Sequence, residues 1–591
     1  MGRSIPVPRR ESIGRWVRES PSSLVPLALL IGAGTGLGAI VFRWLITTFT
    51  RLFTGVADYS TAGHAASPHF PFLGMWFVVL VPVIAGAIYG PLVSKFAPEA
   101  RGHGVPEVMY AVAEKGGRIP PQVSVVKALA SALCIGGGGS VGREGPIVQI
   151  GAALGSTVGR LTRLGGSRLK VLVACGAAGG IAATFNAPLA GPFFAMELIL
   201  KDFAAESFGA VVLASVMASV VGRAVLGDHT FLTLPHFSLR NPVEYLLFIA
   251  LGVLVGVVGV VFTKVLYRIE DACDWAWRGP EWLRPAVGGL LIGGLLLVLP
   301  QMYGVGYPVL ENAVQGKYVI GFLLILMAGK MLATSLAIGV GGSGGVFAPT
   351  LFIGAMAGTA FGDVVHTLLP TLTAPAGVYG LIGMGAALAG ATGAPITAVI
   401  ILFELTGEYT IILPLMTAVA MAAGTARLLA KETIYTGKLL RRGIDLDKPR
   451  PEDAFTAMTV RQVTQPVPTP LRETTDLLSA ARTLSMSPYG MLPVVGADGV
   501  YHGCVTARLV AETLADADTD DKTVAELATL PPVVTADATL TEALRALAGS
   551  SGGGLPVIDP THTQLTGWIT HESVLSVFHA HRGKPAGGDG G

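Results

Sequence analysis

Apolar residues dominate the chain up to Arg427, with few polar interruptions. They fill residues 24–53 and 72–96 and then continue almost without pause. Many of these stretches exceed the roughly 20 residues that a helix needs to span a bilayer, whereas others are short and contain Gly or Pro. Because lipid tolerates a broken helix only where its backbone lines a protein cavity, the pattern predicts an α-helical polytopic membrane protein with discontinuous helices.

Composition agrees with this pattern and argues against several classes of function. The 591 residues are 51% hydrophobic and only 14% charged, whereas soluble proteins carry about 25% charged residues. The net charge of +2 gives no reason to expect a nucleic-acid partner. The 11 histidines include no H-E-x-x-H motif, and the four cysteines stand far apart in the sequence. Neither a metal site, nor an enzyme active site, nor a disulfide framework is therefore indicated.

The first 21 residues are mostly polar and carry five arginines but only two acidic residues. By the positive-inside rule this end faces the cytoplasm, and no small-residue cleavage site follows that would mark a signal peptide. The charged, proline-containing stretch after Tyr435 indicates that the C-terminal part lies on the same side. We therefore expect a multi-pass protein of a cell membrane, such as a bacterial inner membrane, with both termini in the cytoplasm.

The membrane part contains an internal repeat. The stretch VVKALASALCIGGGGSVGREGP ends at Pro146, and MAGKMLATSLAIGVGGSGGVFAP ends at Pro349, 349 − 146 = 203 residues later. FNAPLAGPFFAMEL and TGAPITAVIILFEL form a second pair, in which Glu197 and Glu404 occupy equivalent places, which favours a structural role for both. The separation of 203 residues also relates Lys127 to Lys330, Ser140 to Ser343, Gly151 to Gly354 and Gly155 to Gly358. The repeat predicts two related halves with a substrate site near the bilayer midplane, at their interface.

Beyond the membrane part, the chain shows a second repeat of soluble character. YGMLPVVGADGVYHGCVT and GGGLPVIDPTHTQLTGWIT each combine two short apolar strands with a turn, and each follows a stretch of helical period. Two small α/β modules in tandem are predicted. The expected boundaries are 1–21 for a cytoplasmic segment, 22–442 for the membrane domain, 443–456 for a linker, 457–515 and 516–583 for the two modules, and 584–591 for a flexible tail.

Three glycine-rich stretches have the form of helix starts: GHGVP at 102–106, GREGP at 142–146 and GGVFAP at 344–349. A helix N-terminus presents unpaired N–H groups and about half a positive charge, and glycines let that backbone approach an ion closely. Several such starts aimed at one point would bind an anion without a full cation. The sequence therefore predicts an anion site within the membrane part.

Glu144 lies inside one of these helix starts, next to Arg143. An ionised carboxylate there would occupy the positive end of the helices and exclude a free anion, whereas a protonated carboxyl group would lose that attraction and move aside. We therefore interpret Glu144 as a gate and a proton acceptor; the alternative is that it simply pairs with Arg143. Lys127 and Lys330 could add positive potential to the pathway, or could snorkel or form ion pairs at a helix end.

In combination and order, GREGP, GGVFAP, the GxGVPE segment, FNAPLAG and IYTGKLLRRG resemble the ClC family of chloride channels and proton-coupled chloride exchangers. The tandem modules resemble CBS domains, which often follow the membrane part in that family. The resemblance runs from about residue 22 to 580. It implies a two-halved, inverted-repeat helical bundle with broken helices. It also implies a homodimer with one pathway per subunit for chloride or a similar small anion, with protons as a second substrate in some members.

The resemblance assigns roles to individual residues. Glu144 matches the gating glutamate, and Tyr435 matches the tyrosine whose hydroxyl faces the central anion. The backbone at Arg143, Glu144 and Gly145 matches an outer anion position, and residues 346–348 match the segment whose backbone amides hold the anion. The anion-binding residues implied in this way are His103, Gly104, Arg143, Gly145, Val346, Phe347, Ala348 and Tyr435.

Two positions depart from the family pattern. His103 stands where a serine usually faces the anion; its imidazole can donate an N–H to an anion, and a charged ring would bind the anion more tightly below about pH 6.5. The alternative is that the ring packs against backbone and never meets the ion. Leu198 stands at the inner position where proton-coupled members typically carry a glutamate. Because an aliphatic side chain cannot relay a proton, Leu198 favours a passive voltage- or pH-gated chloride channel over a chloride/proton antiporter with another inner proton route.

Nucleotide binding and cation transport are two further functions to compare with chloride transport. CBS domains often bind adenine nucleotides through an Asp three residues after a Thr or Ser, but Leu509 and Ser573 stand at that distance from Thr506 and Thr570. No cofactor is therefore expected. The tandem modules are expected to act in dimer contact and gating; the alternative is that they bind an adenine nucleotide. A CBS-regulated cation transporter would need acidic residues along its pore, and the membrane part has few.

Overall fold

The computed structural model describes residues 20–69, 71–227, 241–446, 458–515, 522–550, 553–559 and 564–582. The chain divides into two compact units, Met1–Asp445 and Leu446–Gly591. Most of the predicted N-terminal segment, most of the predicted linker and the predicted tail lie outside the described residues. The exact domain boundaries stay predictions.

The first unit is helical throughout its described part, and several of its helices begin with a proline in the first turn, where the missing N–H has no helical partner to lose. Its α-helices are α1 (Leu24–Thr54), α2 (Phe77–Phe96), α3 (Val105–Glu114), α4 (Gln122–Gly136), α5 (Glu144–Leu161), α6 (Gly166–Phe185), α7 (Ala190–Phe194, continued by a π-helical turn, Ala195–Leu200), α8 (Ala205–Leu226), α9 (Glu244–Ala276), α10 (Arg284–Val298), α11 (Tyr307–Val314), α12 (Ile320–Gly339), α13 (Phe347–Leu368), α14 (Ala376–Thr392), α15 (Pro395–Thr406), α16 (Ile412–Leu429) and α17 (Thr436–Leu440).

Long and short apolar helices alternate, as the sequence predicts. Within the described residues, eight helical segments are long and apolar enough to cross a membrane, and these contain α1, α2, α6, α8, α9, α12, α13 and α16. Other apolar helices, such as α4, α10, α14 and α15, have only 10–17 residues. Among the short helices, α14 is buried from its second residue to its end.

The order of helices α1 to α8 recurs in α9 to α16, which confirms the two-halved organisation. In the first half α5 packs on α6 and α1 on α8; in the second half α13 packs on α14 and α9 on α16. Glycines at repeat-related positions permit the contact of α5 with α6 and of α13 with α14. A Cβ at Gly151 would lie 2.2 Å from the Gly176 carbonyl oxygen, and a Cβ at Gly354 would lie 2.4 Å from that of Gly383. Small residues thus bring the helix backbones into direct contact in both halves.

Two glutamates, one from each half, join the halves by capping helices. The Glu197 carboxylate accepts backbone N–H bonds from Ile396 (3.1 Å) and Thr397 (2.8 Å), in the first turn of α15. The Glu404 carboxylate accepts backbone N–H bonds from Leu189 (2.8 Å) and Ala190 (2.7 Å), at the start of α7. Each carboxylate therefore satisfies orphan donors of a helix in the other half, which is the structural role expected from their equivalent positions.

The second unit contains two small sheets, each with one parallel and one antiparallel strand pair. The helices lie between and after the strands, as the two soluble repeats predict. Strands β1 (Leu471–Arg472), β2 (Met491–Val495) and β3 (Tyr501–Thr506) form one sheet, and β4 (Val534–Thr535), β5 (Leu555–Ile558) and β6 (Leu565–Ile569) form the other; the described helices are α18 (Leu477–Ser485), α19 (Ala507–Leu514), α20 (Val524–Leu527), α21 (Leu540–Ala548) and α22 (His571–Arg582). Trp568 of the second sheet is fully buried against Met491, Tyr501 and Cys504 of the first, so the two modules share a core.

Candidate anion site

The three glycine-rich stretches meet, because backbone hydrogen bonds join them. The Gly102 N–H donates to the Gly342 carbonyl (3.1 Å), and the Gly344 N–H donates to the Gly102 carbonyl (3.3 Å). Gly142 and Gly345 exchange two such bonds, of 2.7 and 2.6 Å. The stretches come from both halves of the repeat, so the junction lies at the interface where a substrate site is expected.

Helices α3, α5 and α13 begin at this junction, as predicted. Their N-terminal caps are Gly104, Arg143 and Val346. Gly104 has φ of 85°, a conformation that side chains with a Cβ rarely adopt. Packing is also too close for a side chain at Gly145, where a Cβ would lie 2.0 Å from the His103 carbonyl oxygen. Backbone geometry and close packing thus explain why glycine occupies these positions.

A fourth helix start belongs to the same region and is not among the three predicted from the sequence. Helix α11 begins after Gly306, which has φ of 86°, and carries a proline in its first turn. The stretch GVGYP at 304–308 has the pattern of GHGVP at 102–106. The 203-residue repeat does not reveal it, since the separation here is 304 − 102 = 202 residues. This start supplies Tyr307.

Glu144 is the first residue of α5 and only 1% of its surface is exposed. Its Oε1 accepts a hydrogen bond of 2.5 Å from the Tyr307 hydroxyl. Its Oε2 accepts a longer bond of 3.3 Å from the backbone N–H of Ala348, in the first turn of α13. The Glu144 carboxylate of the first half thus accepts a hydrogen bond from a backbone N–H at a helix start of the second half.

Arg143 does not account for the position of Glu144 by itself. Its Nε lies 4.0 Å from Glu144 Oε1, at the limit of an ion pair. Its guanidinium group lies 5.2 Å from the centre of the Tyr307 ring, in the geometry of a cation–π contact. Because Glu144 has two hydrogen-bond donors besides this pair, the simple pairing alternative does not describe its environment.

His103 lies directly before the cap of α3, and its side chain is fully buried. Neither ring nitrogen has a hydrogen-bond partner among the described residues. The ring stacks at 6.5 Å and 26° on Tyr267, whose hydroxyl donates instead to the Ile434 carbonyl (2.7 Å). The packing alternative requires the imidazole to be held against backbone, but no backbone hydrogen bond holds it.

Tyr435 caps α17 and is 1% exposed. Its position is fixed through its neighbour Ile434, whose N–H donates to the Ala391 carbonyl (2.8 Å). The Tyr435 hydroxyl forms no hydrogen bond with a described residue. Val346, Phe347 and Ala348 form the start of α13, where Phe347 packs on Phe185 and Phe194.

Lys127 and Lys330 differ from the expectation that they snorkel to water or form ion pairs. Both side chains are fully buried. Lys127 Nζ donates to the carbonyls of Ala100 and Gly102, both at 2.8 Å. Lys330 Nζ donates to those of Gly304 and Val305, at 3.1 and 2.9 Å. Each lysine therefore holds the bend before α3 or α11, because those carbonyls have no helical partner.

Leu198 lies in the π-helical turn after α7, and its side chain is 6% exposed. The residue before it, Glu197, caps α15. Position 198 is thus an apolar, buried position, and its side chain offers no atom that exchanges a proton.

Two cavities lie near the site. One has a volume of about 500 Å³ and is lined by Arg143 and Tyr307, the neighbours of Glu144, together with Arg43 and Arg223. The other has a volume of about 490 Å³ and is lined by Tyr267 and Lys438, the neighbours of His103 and Gly102, together with Glu270. The Glu144 and His103 environments therefore each adjoin a space large enough for hydrated ions.

In the second unit, the two threonines at the nucleotide-type positions act as helix caps. Thr506 Oγ1 accepts the Leu509 N–H (3.3 Å), and Thr570 Oγ1 accepts the Ser573 N–H (3.1 Å). Ser573 Oγ donates in return to the Thr570 carbonyl (2.9 Å). Neither module presents a carboxylate three residues after its threonine.

Comparison with known proteins agrees with this geometry. Residues 85–427 match the family model "Voltage gated chloride channel", and residues 524–580 match the CBS domain model. The H(+)/Cl(-) exchange transporter ClcA of Vibrio parahaemolyticus is 34% identical over 458 residues, which are 75% of this chain and 95% of that protein. A Ralstonia nicotianae protein, provisionally named a ClcB-like chloride channel protein, is 32% identical over 426 residues, 71% of this chain and 98% of that protein.

A solved structure of a slow cyanobacterial Cl−/H+ antiporter has a TM-score of 0.63 and 26% identity, and covers 72% of this chain and 99% of that chain. A eukaryotic CLC transporter has the same fold, with a TM-score of 0.59 and 21% identity over 95% of this chain and 99% of that chain. The family model spans more than half of the chain, and the Vibrio relative is matched along nearly its whole length. The protein therefore belongs to the ClC family of voltage-gated chloride channels and chloride/proton exchangers, as a multi-pass membrane protein that transports chloride and carries a C-terminal CBS domain.

Proposed function

We propose that this protein exchanges chloride for protons across a cell membrane and that Glu144 is both the gate and a proton acceptor. The names of its relatives support exchange, since the Vibrio proteins are H(+)/Cl(-) exchange transporters. The observation that carries the proposal is the position of the Glu144 carboxylate. It is buried, and it takes the Ala348 N–H at a helix start where a chloride ion would otherwise bind.

The proposed anion pathway runs between the two cavities, past the junction of the glycine-rich stretches. Backbone N–H groups at the starts of α3, α5 and α13 attract the anion through their unpaired hydrogens and helix dipoles. The residues proposed to bind it are His103, Gly104, Arg143, Gly145, Val346, Phe347, Ala348 and Tyr435. Tyr435 is buried, and its hydroxyl has no hydrogen-bond partner among the described residues, which supports a direct contact with the anion.

The proposed gate works by competition. Ionised Glu144 keeps the Tyr307 hydroxyl and the Ala348 N–H occupied and blocks the anion. A proton on the carboxylate removes its charge and weakens both bonds, because hydrogen bonds to ionised groups are about twice as strong as neutral ones. The side chain can then leave the helix start, and an anion takes its place. One residue thus links proton uptake to anion entry.

The second candidate is a passive chloride channel. Leu198 favours it, because that position offers no protonatable group on the inner side. The named relatives support the exchanger better than the channel, and an exchanger then needs a proton route that does not use position 198. A CBS-regulated cation transporter has no such support.

We further propose that the protein is a homodimer in the cell membrane, with both termini in the cytoplasm. The arginine-rich first residues support this orientation. The CBS-type modules would then lie in the cytoplasm, where they control gating or dimer contact. The helix-capping roles of Thr506 and Thr570 give less support to an adenine nucleotide there.

The test is a flux measurement on liposomes that contain the purified full-length protein. Chloride efflux and proton uptake are recorded together while an outward chloride gradient is applied. Uphill proton uptake that stops in Glu144→Gln is the expected result. Rapid chloride efflux without proton movement would overturn exchange and establish the channel.

A further inference from the structure

An exchanger must bring protons to Glu144 from the side opposite to its entrance cavity. Because Leu198 offers no protonatable group, a titratable side chain near the second cavity is a candidate carrier. This inference rests on the proposed exchange function and concerns the route that such exchange would use. Among the described residues, His103 is the group with the most unusual environment.

The His103 ring is fully buried and both of its nitrogens lack a partner among the described residues. Buried polar atoms are nearly always hydrogen-bonded, because leaving one unpaired costs about 1–3 kcal/mol. An imidazole has one N–H donor and one acceptor when neutral. A ring in this state is suited to bind a transported ion or water on one nitrogen and to exchange a proton on the other.

Three positively charged side chains act electrostatically on His103. They are Lys127 of α4, Lys438 of α17 and Arg442, which follows α17. Lys127 is committed to two carbonyls, and Arg442 pairs with Glu107 of α3 at 2.8 Å. The local charge is therefore positive, which attracts an anion to the ring. An anion bound there offsets the cations, so binding of the anion and of a proton at His103 favour each other.

His103 has neighbours both at the second cavity and next to Glu144. Tyr267, which stacks on the ring, and Lys438, next to Gly102, both line that cavity. Glu270 lines it too, and its Oε2 is buried without a partner in the described part of the chain. On the other side, the His103 carbonyl contacts Gly145, the residue after Glu144.

We propose that His103 is the proton relay between the second cavity and Glu144 and that it takes up its proton together with an anion. A proton from cavity water binds one ring nitrogen and forms imidazolium. The proton on the other nitrogen then passes through water to the Glu144 carboxylate, which becomes a carboxylic acid. The ring returns to its neutral form, so one proton enters and one leaves.

The first experiment compares His103→Gln with the unsubstituted protein in the liposome assay. Glutamine keeps an N–H donor for the anion but cannot carry a proton. We expect the ratio of protons to chloride to be at least tenfold lower than in the unsubstituted protein. His64→Gln is the matched control, since this exposed histidine binds the Leu297 carbonyl (2.8 Å) and lies far from the site in sequence.

An unchanged ratio of protons to chloride in His103→Gln would overturn the relay. If instead the proposed exchange function is wrong, the result differs, because the unsubstituted protein itself would move chloride without protons. A second measurement does not depend on transport by His103→Gln. Chloride is added to Glu144→Gln in weakly buffered detergent solution near pH 6.5, and proton uptake is recorded. We expect uptake with each chloride bound; chloride binding without proton uptake would also overturn the proposal.

Discussion

The Tyr307 hydroxyl donates a hydrogen bond of 2.5 Å to the Glu144 carboxylate, so a residue of the second half holds the proposed gate of the first. Tyr307 stands at the start of α11, and Glu144 stands at the start of α5. The position of the Glu144 carboxylate therefore depends on the packing of both halves. It does not depend on a local ion pair alone.

We expect Tyr307→Phe to open the pathway more often. The substitution removes a hydrogen bond to a charged group, which contributes about 1.5–3 kcal/mol, and about 1.4 kcal/mol corresponds to a tenfold change in an equilibrium. Chloride efflux from liposomes at pH 7 should therefore rise by about tenfold or more. Tyr303→Phe is the matched control, because Tyr303 lines the same cavity but donates to the Gly136 carbonyl (2.6 Å). Equal efflux in Tyr307→Phe and the unsubstituted protein would contradict the role of Tyr307.

Glu144→Gln should remove the response of transport to pH through this gate. The amide keeps the shape of the carboxylate but carries no charge that can be gained or lost. Chloride efflux is measured between pH 5 and pH 8 in liposomes of equal ionic strength. The pH profile of the substituted protein should be flat. A profile that still follows that of the unsubstituted protein would assign the gate to another residue.

A methyl group at Gly145 should disrupt the anion site. A Cβ there would lie 2.0 Å from the His103 carbonyl oxygen, so Gly145→Ala must displace the backbone at the junction. We expect chloride affinity, measured by calorimetry in detergent, to fall at least tenfold. Gly424→Ala is the control, because a Cβ at Gly424 meets nothing within 4 Å. If Gly145→Ala binds chloride as tightly as Gly424→Ala, the close approach at this helix start is unimportant.

Glu197→Gln should lower stability without changing the ratio of protons to chloride. Its carboxylate accepts two backbone N–H bonds and the Thr397 hydroxyl bond (2.7 Å) at the start of α15. A neutral amide loses the favourable interaction with the helix dipole, so the melting temperature in detergent should fall by a few degrees. Glu206→Gln, at an exposed first-turn position of α8, should change it less. A lost proton ratio with an unchanged melting temperature would instead place Glu197 in the proton route.

The soluble unit should lose stability in acid through two helix caps. Backbone N–H bonds from Ser479 to Asp476 and from Thr539 to Glu542 lower the pKa of each carboxyl group below its ordinary value, 3.8 for Asp476 and 4.5 for Glu542. A lowered folded-state pKa stabilises the fold above the unfolded pKa, and this contribution is lost as pH falls through the folded value. Hydrogen exchange in the full-length protein should therefore accelerate below about pH 4.5 in α21 and below about pH 3.8 in α18, after correction for intrinsic rates.

Asp476→Asn is the control for this prediction. Asparagine can cap α18 as well as aspartate, but it does not titrate. The acid response of α18 should therefore weaken in this variant, while that of α21 stays. An equal response of α18 in both proteins would show that its cap does not cause the acid sensitivity.

Much of the helical fold follows from patterns that act over short distances. Apolar length, the 203-residue repeat and the glycine-rich helix starts predict two halves that meet at an anion site, and the equivalence of Glu197 and Glu404 predicts their structural role. Tyr307 escapes prediction, because its stretch is shifted by one residue relative to the repeat. The bonds of Lys127 and Lys330 to carbonyls also escape it, since they depend on how a bend packs against a separate helix. Whether the His103 ring nitrogens find hydrogen-bond partners also depends on how separate elements pack, so the sequence does not predict it.

The two buried lysines have a consequence for the protein without its substrate. Each ammonium group is held by uncharged carbonyl oxygens, and no described carboxylate forms an ion pair with it. Buried charges without counter-ions are unfavourable in a medium of low polarisability. We expect a chloride ion in the proposed pathway to supply negative charge, in the manner of a structural cofactor. Replacing chloride by an anion too large to enter should therefore lower the melting temperature, by the amount that ligand linkage predicts.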